Sequence, residues 1–248
     1  MQIIHTREPI AMAVVEAIRT GNLPPLERLL SENPGLATAA LGDVDRCRDG
    51  GIARSLLHVA TDWPGHFPNS GETVRALAAA GADVNARFTG PNAETPLHWA
   101  ASSDDVEALD ALLDAGADIE APGAVIAGGS PLADARAFKQ WRAAHRLIER
   151  GARITLTDAA TMGLMDRIED DFAGASPPTP DQVTRAFWGA CHGGQRGCAE
   201  YLLERGANLN WIPEWEKLTP LDAARRSDAI ELVDWLRNQG ANSADESR

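Results

Sequence analysis

A short pattern returns through this chain at a nearly fixed interval and limits what it can fold into. Gly81-Ala82-Asp83, Gly116-Ala117-Asp118, Gly151-Ala152-Arg153, Gly206-Ala207-Asn208 and Gly240-Ala241-Asn242 follow one another at spacings of 35, 35, 55 and 34 residues. Ahead of them stand Ser55-Leu56-Leu57-His58, Thr95-Pro96-Leu97-His98, Ser130-Pro131-Leu132 and Thr219-Pro220-Leu221. The intervening stretches, such as Glu107–Leu113 and Ala199–Leu203, carry apolar residues at helical spacing. Periods of roughly 20–50 residues belong to stacked repeats, in which no unit buries its apolar face alone.

The residues of each unit have mechanical roles. Thr95 and Thr219 are placed to cap a first helix, and the proline that follows each sits where its missing N–H costs nothing. Gly116, after Leu112-Leu113, closes a second helix in the left-handed conformation that glycine adopts cheaply. Setting each unit in register by its Gly-Ala puts Ala17, Ala60, Ala100, Ala135, Ala159, Ala190 and Ala224 at the sixth position. A small side chain is required there because paired helices cross closely.

Taken together, these residues resemble the ankyrin repeat, from about residue 11 to residue 242. The resemblance implies an all-α solenoid of stacked helix-turn-helix units with long fingers, forming one domain over residues 1–248. Repeats are expected to start near residues 12, 55, 95, 130, 154, 185 and 219, with a fraying polar tail at 243–248. It also implies a module that recognises a protein partner through a concave face made of fingers and inner helices. His58 and His98 are expected to be structural, bonding to the backbone of an adjoining finger.

Several segments depart from the repeat. Asp62–Gly71 lengthens the second unit between its helices. Thr38–Arg54, with Cys47, Gly50 and Gly51 inside it, reads as a long polar finger without apolar periodicity. Gly90-Pro91-Asn92 and Gly123–Gly129 lengthen two further fingers. After Gly151 the finger is nearly missing, and Ala173–Asp181 carries three prolines and links to the next unit.

Composition narrows the function. The 248 residues are 44% hydrophobic and 24% charged, and the formal charge is −13. That balance repels phosphate, so neither nucleic acid nor an anionic membrane is an expected partner. The apolar run Ile10–Val15 is too short for a membrane span and, broken by Glu16 and Arg19, does not read as a signal peptide. Cys47, Cys191 and Cys198 are too few and odd in number for a disulfide scaffold, which points to a reducing cytoplasm. Cys191-His192 with Cys198 lacks a fourth ligand nearby, so no metal is expected. No phosphate-cradling glycine motif and no nucleophile elbow occurs, and no cofactor is expected.

The seven tryptophans are unusual beside a single tyrosine. In ankyrin register, Trp63, Trp99 and Trp188 fall at inner-helix positions and are candidates to line a groove, together with Ser102, Arg136 and His192. Trp211 and Trp215 fall in the last finger, while Trp141 and Trp235 read as core. Asp62, His66 and Asp104 stand at one structural level near Trp63 and Trp99. An Asp–His set against aromatic walls suits general acid–base work. Two readings therefore stand: a protein-binding module, or a metal-free, nucleotide-free enzyme of dehydratase, isomerase or cyclase type. In the second reading the groove takes a small-molecule ligand, His66 is the base, and Asp62 or Asp104 is its orienter or the acid.

Overall fold

A computed structural model describes residues 2–43, 51–126 and 128–246. Among them, α-helices follow one another in pairs: α1 (Pro9–Thr20) with α2 (Leu23–Glu32), α3 (Leu56–Ala60) with α4 (Ser70–Ala79), α5 (Pro96–Ser102) with α6 (Val106–Asp114), and α7 (Pro131–Ala137) with α8 (Trp141–Glu149). The series continues with α9 (Leu156–Met162) and α10 (Met165–Ala173), α11 (Pro180–His192) and α12 (Arg196–Glu204), and α13 (Pro220–Arg226) and α14 (Ile230–Asn238). The chain forms two compact units, Met1–Ala152 with the first four pairs and Arg153–Arg248 with the last three.

Among the described residues, five of the seven first helices begin at a reciprocal cap; α1 and α7, after Glu8 and Ser130, do not. Thr155, Thr179 and Thr219 each accept a hydrogen bond from the backbone N–H three residues on, and Asp158, Gln182 and Asp222 accept one in return from the cap residue's N–H. In α3 and α5 a histidine takes that return position. The backbone N–H of Ser55 donates to His58 Nδ1 at 3.3 Å, and that of Thr95 to His98 Nδ1 at 3.1 Å.

The recurring Gly-Ala marks the end of the second helix. Gly81, Gly116, Gly151, Gly206 and Gly240 have φ of 86–94°, and the alanine after each donates to the carbonyl of a fully buried leucine, Leu77, Leu112, Leu147, Leu202 or Leu236. This closes the helix and satisfies one of the carbonyls in its last turn.

The seven sixth-position alanines are all buried, at 5% exposure or less. They also organise the turn between paired helices. The carbonyls of Ala17, Ala100, Ala135, Ala159, Ala190 and Ala224 accept the amide five residues on, over 2.7–3.2 Å. The residue before each donor has positive φ: Gly21, Asp104, Lys139, Gly163, Gly194 and Asp228. The second pair differs because Asp62–Gly71 occupies the turn, with positive φ at Gly65, His66 and Asn69.

Three features differ from expectation. The segment read as a polar finger, Thr38–Arg54, contributes buried strands on either side of residues 44–50. β1 (Ile3–His5) pairs in parallel with β2 (Ala40–Gly42), which pairs antiparallel with β3 (Ala53–Ser55). Ala39, Ala40, Leu41 and Ala53 are buried there; apolar runs of two or three residues are too short to show a period. Cys47 and Gly50 lie outside the described residues. In the repeat expected to start near Arg185 the first helix already begins at Pro180, since the Thr179/Gln182 cap and proline at the first position start it there; likewise, in the repeat expected from Met12, α1 begins at Pro9. The tail does not fray at once: Glu246 accepts from Arg237 at 2.7 and 2.9 Å and from the Ser243 N–H at 2.8 Å.

Candidate functional site

His58 and His98 are fully buried, and each spans two repeats. With Nδ1 accepting at its own cap, Nε2 carries the proton and donates onward, from His58 to the Glu94 carbonyl at 3.2 Å and from His98 to the Gly129 carbonyl at 3.3 Å. Burial pushes both pKa values down to about 4. These are structural, neutral imidazoles that tie first helices to neighbouring fingers.

On the finger side of the first unit, His58 gathers rings. Trp99 meets His58 edge-on at 4.8 Å and Phe88 at 5.2 Å between centroids. Beside them, the Glu94 carboxyl accepts from the Trp99 side chain and faces that of Asp134. Asp134 is fully buried under the finger and accepts from the Val125 N–H at 3.0 Å. Burial, with Glu94 as the next contributor, pushes the Asp134 carboxyl up to about 7; the Glu94 carboxyl is raised by burial as well. Burial and the second carboxyl both act to favour the protonated form of Asp134. Glu94 and Asp134 stand 40 positions apart in sequence with no motif around them, so only the fold brings them together. Arg136, a sequence candidate, sits half-buried and attracts Asp134. Ser102 is half-buried at the end of α5, its hydroxyl donating to the Trp99 carbonyl and its own carbonyl accepting from Gln140.

The proposed acid–base set is placed in three separate settings. Asp62 accepts from Arg54 at 2.7 Å and Arg19 at 3.5 Å. Asp104 occupies a turn and accepts from the Ala143 N–H at 2.7 Å, so it caps the second helix of the next pair. The His66 backbone N–H donates to Asp105 at 2.9 Å. None of these bonds joins the His66 ring to either carboxylate. Asp105 is the residue that sequence reasoning passed over: 1% exposed, it accepts from His66, from the Ser70 hydroxyl at 3.0 Å and from the Ala108 N–H at 3.1 Å. Trp63 stands at the tip of the same insertion, 79% exposed.

In the second unit, an aromatic wall links α11 to the last finger. Trp188, nearly buried, donates from Nε1 to the Leu218 carbonyl at 3.0 Å and stacks on His192 at 5.4 Å. Trp215 meets Trp188 and Trp211 edge-on at 6.3 and 5.6 Å. The Arg185 guanidinium lies 5.4 Å from the ring centroids of both Trp211 and Trp215. Trp188 and His192 are thus internal supports, and the finger tryptophans carry the exposed ring surface, with Trp215 at 40%. The expectation that Trp141 and Trp235 are core is met only in part, since both are half-buried.

Cys191 and Cys198 are free and buried, and burial raises both thiols. Among the described residues no cluster of His, Cys, Asp or Glu is arranged to hold a metal ion, and no helix is long and apolar enough to cross a membrane.

A family model described as ankyrin repeats (three copies) matches residues 12–123 and 57–158, more than half of the chain. The chain belongs to the ankyrin-repeat family. It is 28% identical over 93% of its length to the ankyrin repeat and KH domain-containing protein mask-1 of Caenorhabditis elegans. It is 29% identical over 72% of its length to the ankyrin repeat and KH domain-containing protein CBG24701 of Caenorhabditis briggsae. The chain spans only 8% and 7% of those two proteins. Its fold is similar to that of the human ASB11 ankyrin repeat domain, with a TM-score of 0.51 and 24% identity, covering 95% of this chain and 85% of that one. The all-α ankyrin solenoid is therefore its fold class, and ankyrin repeats generally mediate protein–protein interaction.

Proposed function

We propose that this chain is a recognition module that binds a protein partner through the finger and first-helix side of its repeats. The observation that supports this is a contrast in ring surface between the two sides within each unit. Ion pairs occur on both sides: on second helices Arg146 and Arg150 on Asp110, Arg150 on Asp114, Arg75 on Glu72 and Arg196 on Glu200, and on first helices and fingers Arg185 on Asp181, Arg225 on Asp222 and Arg226 on Glu216. Such pairs are solvated and bind little. The finger side differs in its ring surface, half-buried at Phe88, Trp99 and Trp211 and open at Trp215, which is 40% exposed. Exposed aromatic and arginine side chains are what interfaces enrich. Enzymatic acid–base chemistry finds no support in the placements of Asp62, His66 and Asp104. Buried reduced cysteines suit a cytoplasmic location for the module.

Photo-cross-linking amino acids at Arg136 or Trp215, compared with positions Arg75 or Glu200 on second helices, test the reading. Partner adducts from the first two positions support it, whereas adducts confined to the second helices overturn it.

A further inference from the structure

The finger wall of the second unit has a chemistry that selects among protein partners. Trp211 and Trp215 meet at 70°, and the Arg185 guanidinium lies at the same 5.4 Å from both rings, so the corner they make already suits a planar cation. Asp181 pairs with Arg185 at 2.7 Å and neutralises it there. Glu214 is exposed beside Trp215, as is the apolar Ile212. The chain as a whole carries −13, which favours the approach of a cationic segment. Trp215 keeps 40% of its surface open despite Arg185 and Trp188 against it, leaving ring area for one more contact.

We propose that the Trp211–Trp215 wall receives an arginine-bearing basic segment of a partner protein, one guanidinium stacking on the open surface of Trp215 with Glu214 as its counter-charge. This rests on the reading of the finger side as the recognition surface and names the partner class for that side. Arginine is selected over lysine because its planar, weakly hydrated head stacks on indole and pairs with carboxylate at once. Of the cations near this wall, Arg185 is balanced by Asp181 and Arg226 by Glu216, while Lys217 is exposed two positions from Trp215.

The test uses the full chain and three synthetic twelve-residue peptides, in which arginine, lysine or glutamate alternates with serine, titrated by calorimetry at physiological salt. The arginine peptide is expected to bind about tenfold more tightly than the lysine peptide, and the glutamate peptide not measurably. W215A should lower arginine-peptide affinity about tenfold, W215F should restore most of it, and E214Q should lower it several-fold. Unchanged melting temperatures identify these as surface effects. Equal binding of the arginine and lysine peptides, indifferent to W215A, means diffuse charge attraction and overturns the proposal. Lysine or glutamate peptides that bind in a W215A-sensitive way, while the arginine peptide does not, overturn the arginine preference and leave the finger-side reading intact. Cross-links confined to second helices, as above, remove that reading itself.

Discussion

Asp105 takes its three donors from two sides, with Ala108 in its own helix and His66 and Ser70 in the preceding repeat. Removing it leaves three groups without their acceptor in a buried place, and each such loss costs about 1–3 kcal/mol. D105A should therefore lower the urea-unfolding free energy by about 3 kcal/mol or more, whereas D105N, keeping one acceptor oxygen, should lose about half as much. Equal losses would mean that the carboxylate matters only as a helix cap. An aspartate just ahead of a second helix can be read from sequence as a capping residue. What cannot be read is that Asp104 caps Ala143 and Asp105 holds His66, because those donors lie 39 positions away in opposite directions.

Turns between paired helices repeat one geometry with different residues, and glycine serves two distinct needs within it. Gly194 has φ of +72°, which L side chains adopt at a cost of about 1–2 kcal/mol, and little crowds the space where its side chain would point. Gly193 has ordinary backbone angles, but a Cβ there would collide with the Thr161 carbonyl on α9. G193A should thus cost more than G194A, about 3 kcal/mol against about 1–2 in chemical denaturation. The reverse order would show that backbone handedness, and not close approach, limits this turn. Asp104, Lys139 and Asp228 occupy the Gly194 position in other pairs, so that requirement is soft. A Gly-Gly dipeptide marks the turn in the sequence; which glycine is needed for space depends on the helix packed against it.

Over the whole molecule, three buried groups set how stability varies with pH. His58 and His98 titrate near 4 when folded, against 6.5 when unfolded. The unfolded chain therefore binds more protons between those values, and stability contributed by both imidazoles is lost as pH falls from 6.5 towards 4. Asp134 works in the opposite sense: its folded value near 7 exceeds the ordinary 3.8, so its contribution is lost as pH rises from 3.8 to 7. Substituting D134N removes that loss. The melting-temperature difference between D134N and the wild type should be more favourable to the variant at pH 8 than at pH 4, by an amount equivalent to about 2–4 kcal/mol. H98Q should flatten the acid side of the profile, since Gln182 shows that glutamine can serve the same capping position without titrating. A parallel pair of wild-type and D134N profiles would show that the Asp134 proton is not held in the folded state.

The repeat architecture was legible in the chain because it rests on local needs. A glycine must end each second helix, a small residue must sit at each crossing, and a Ser or Thr must start most first helices; all recur at fixed spacing. The core followed from the same register, as did His58 and His98 bonding to an adjoining finger, whereas their second role at the helix cap emerged only in the structure. Strands β2 and β3 were not legible, since runs of two or three apolar residues have no period; they pair with each other, and β1 adds to β2 from the N-terminus. The ring and carboxyl clusters were likewise settled by tertiary structure alone. Glu94 against Asp134, and Arg185 across Trp211 and Trp215, join different elements, and nothing in the local spacing of any of these residues encodes which neighbour a side chain will meet.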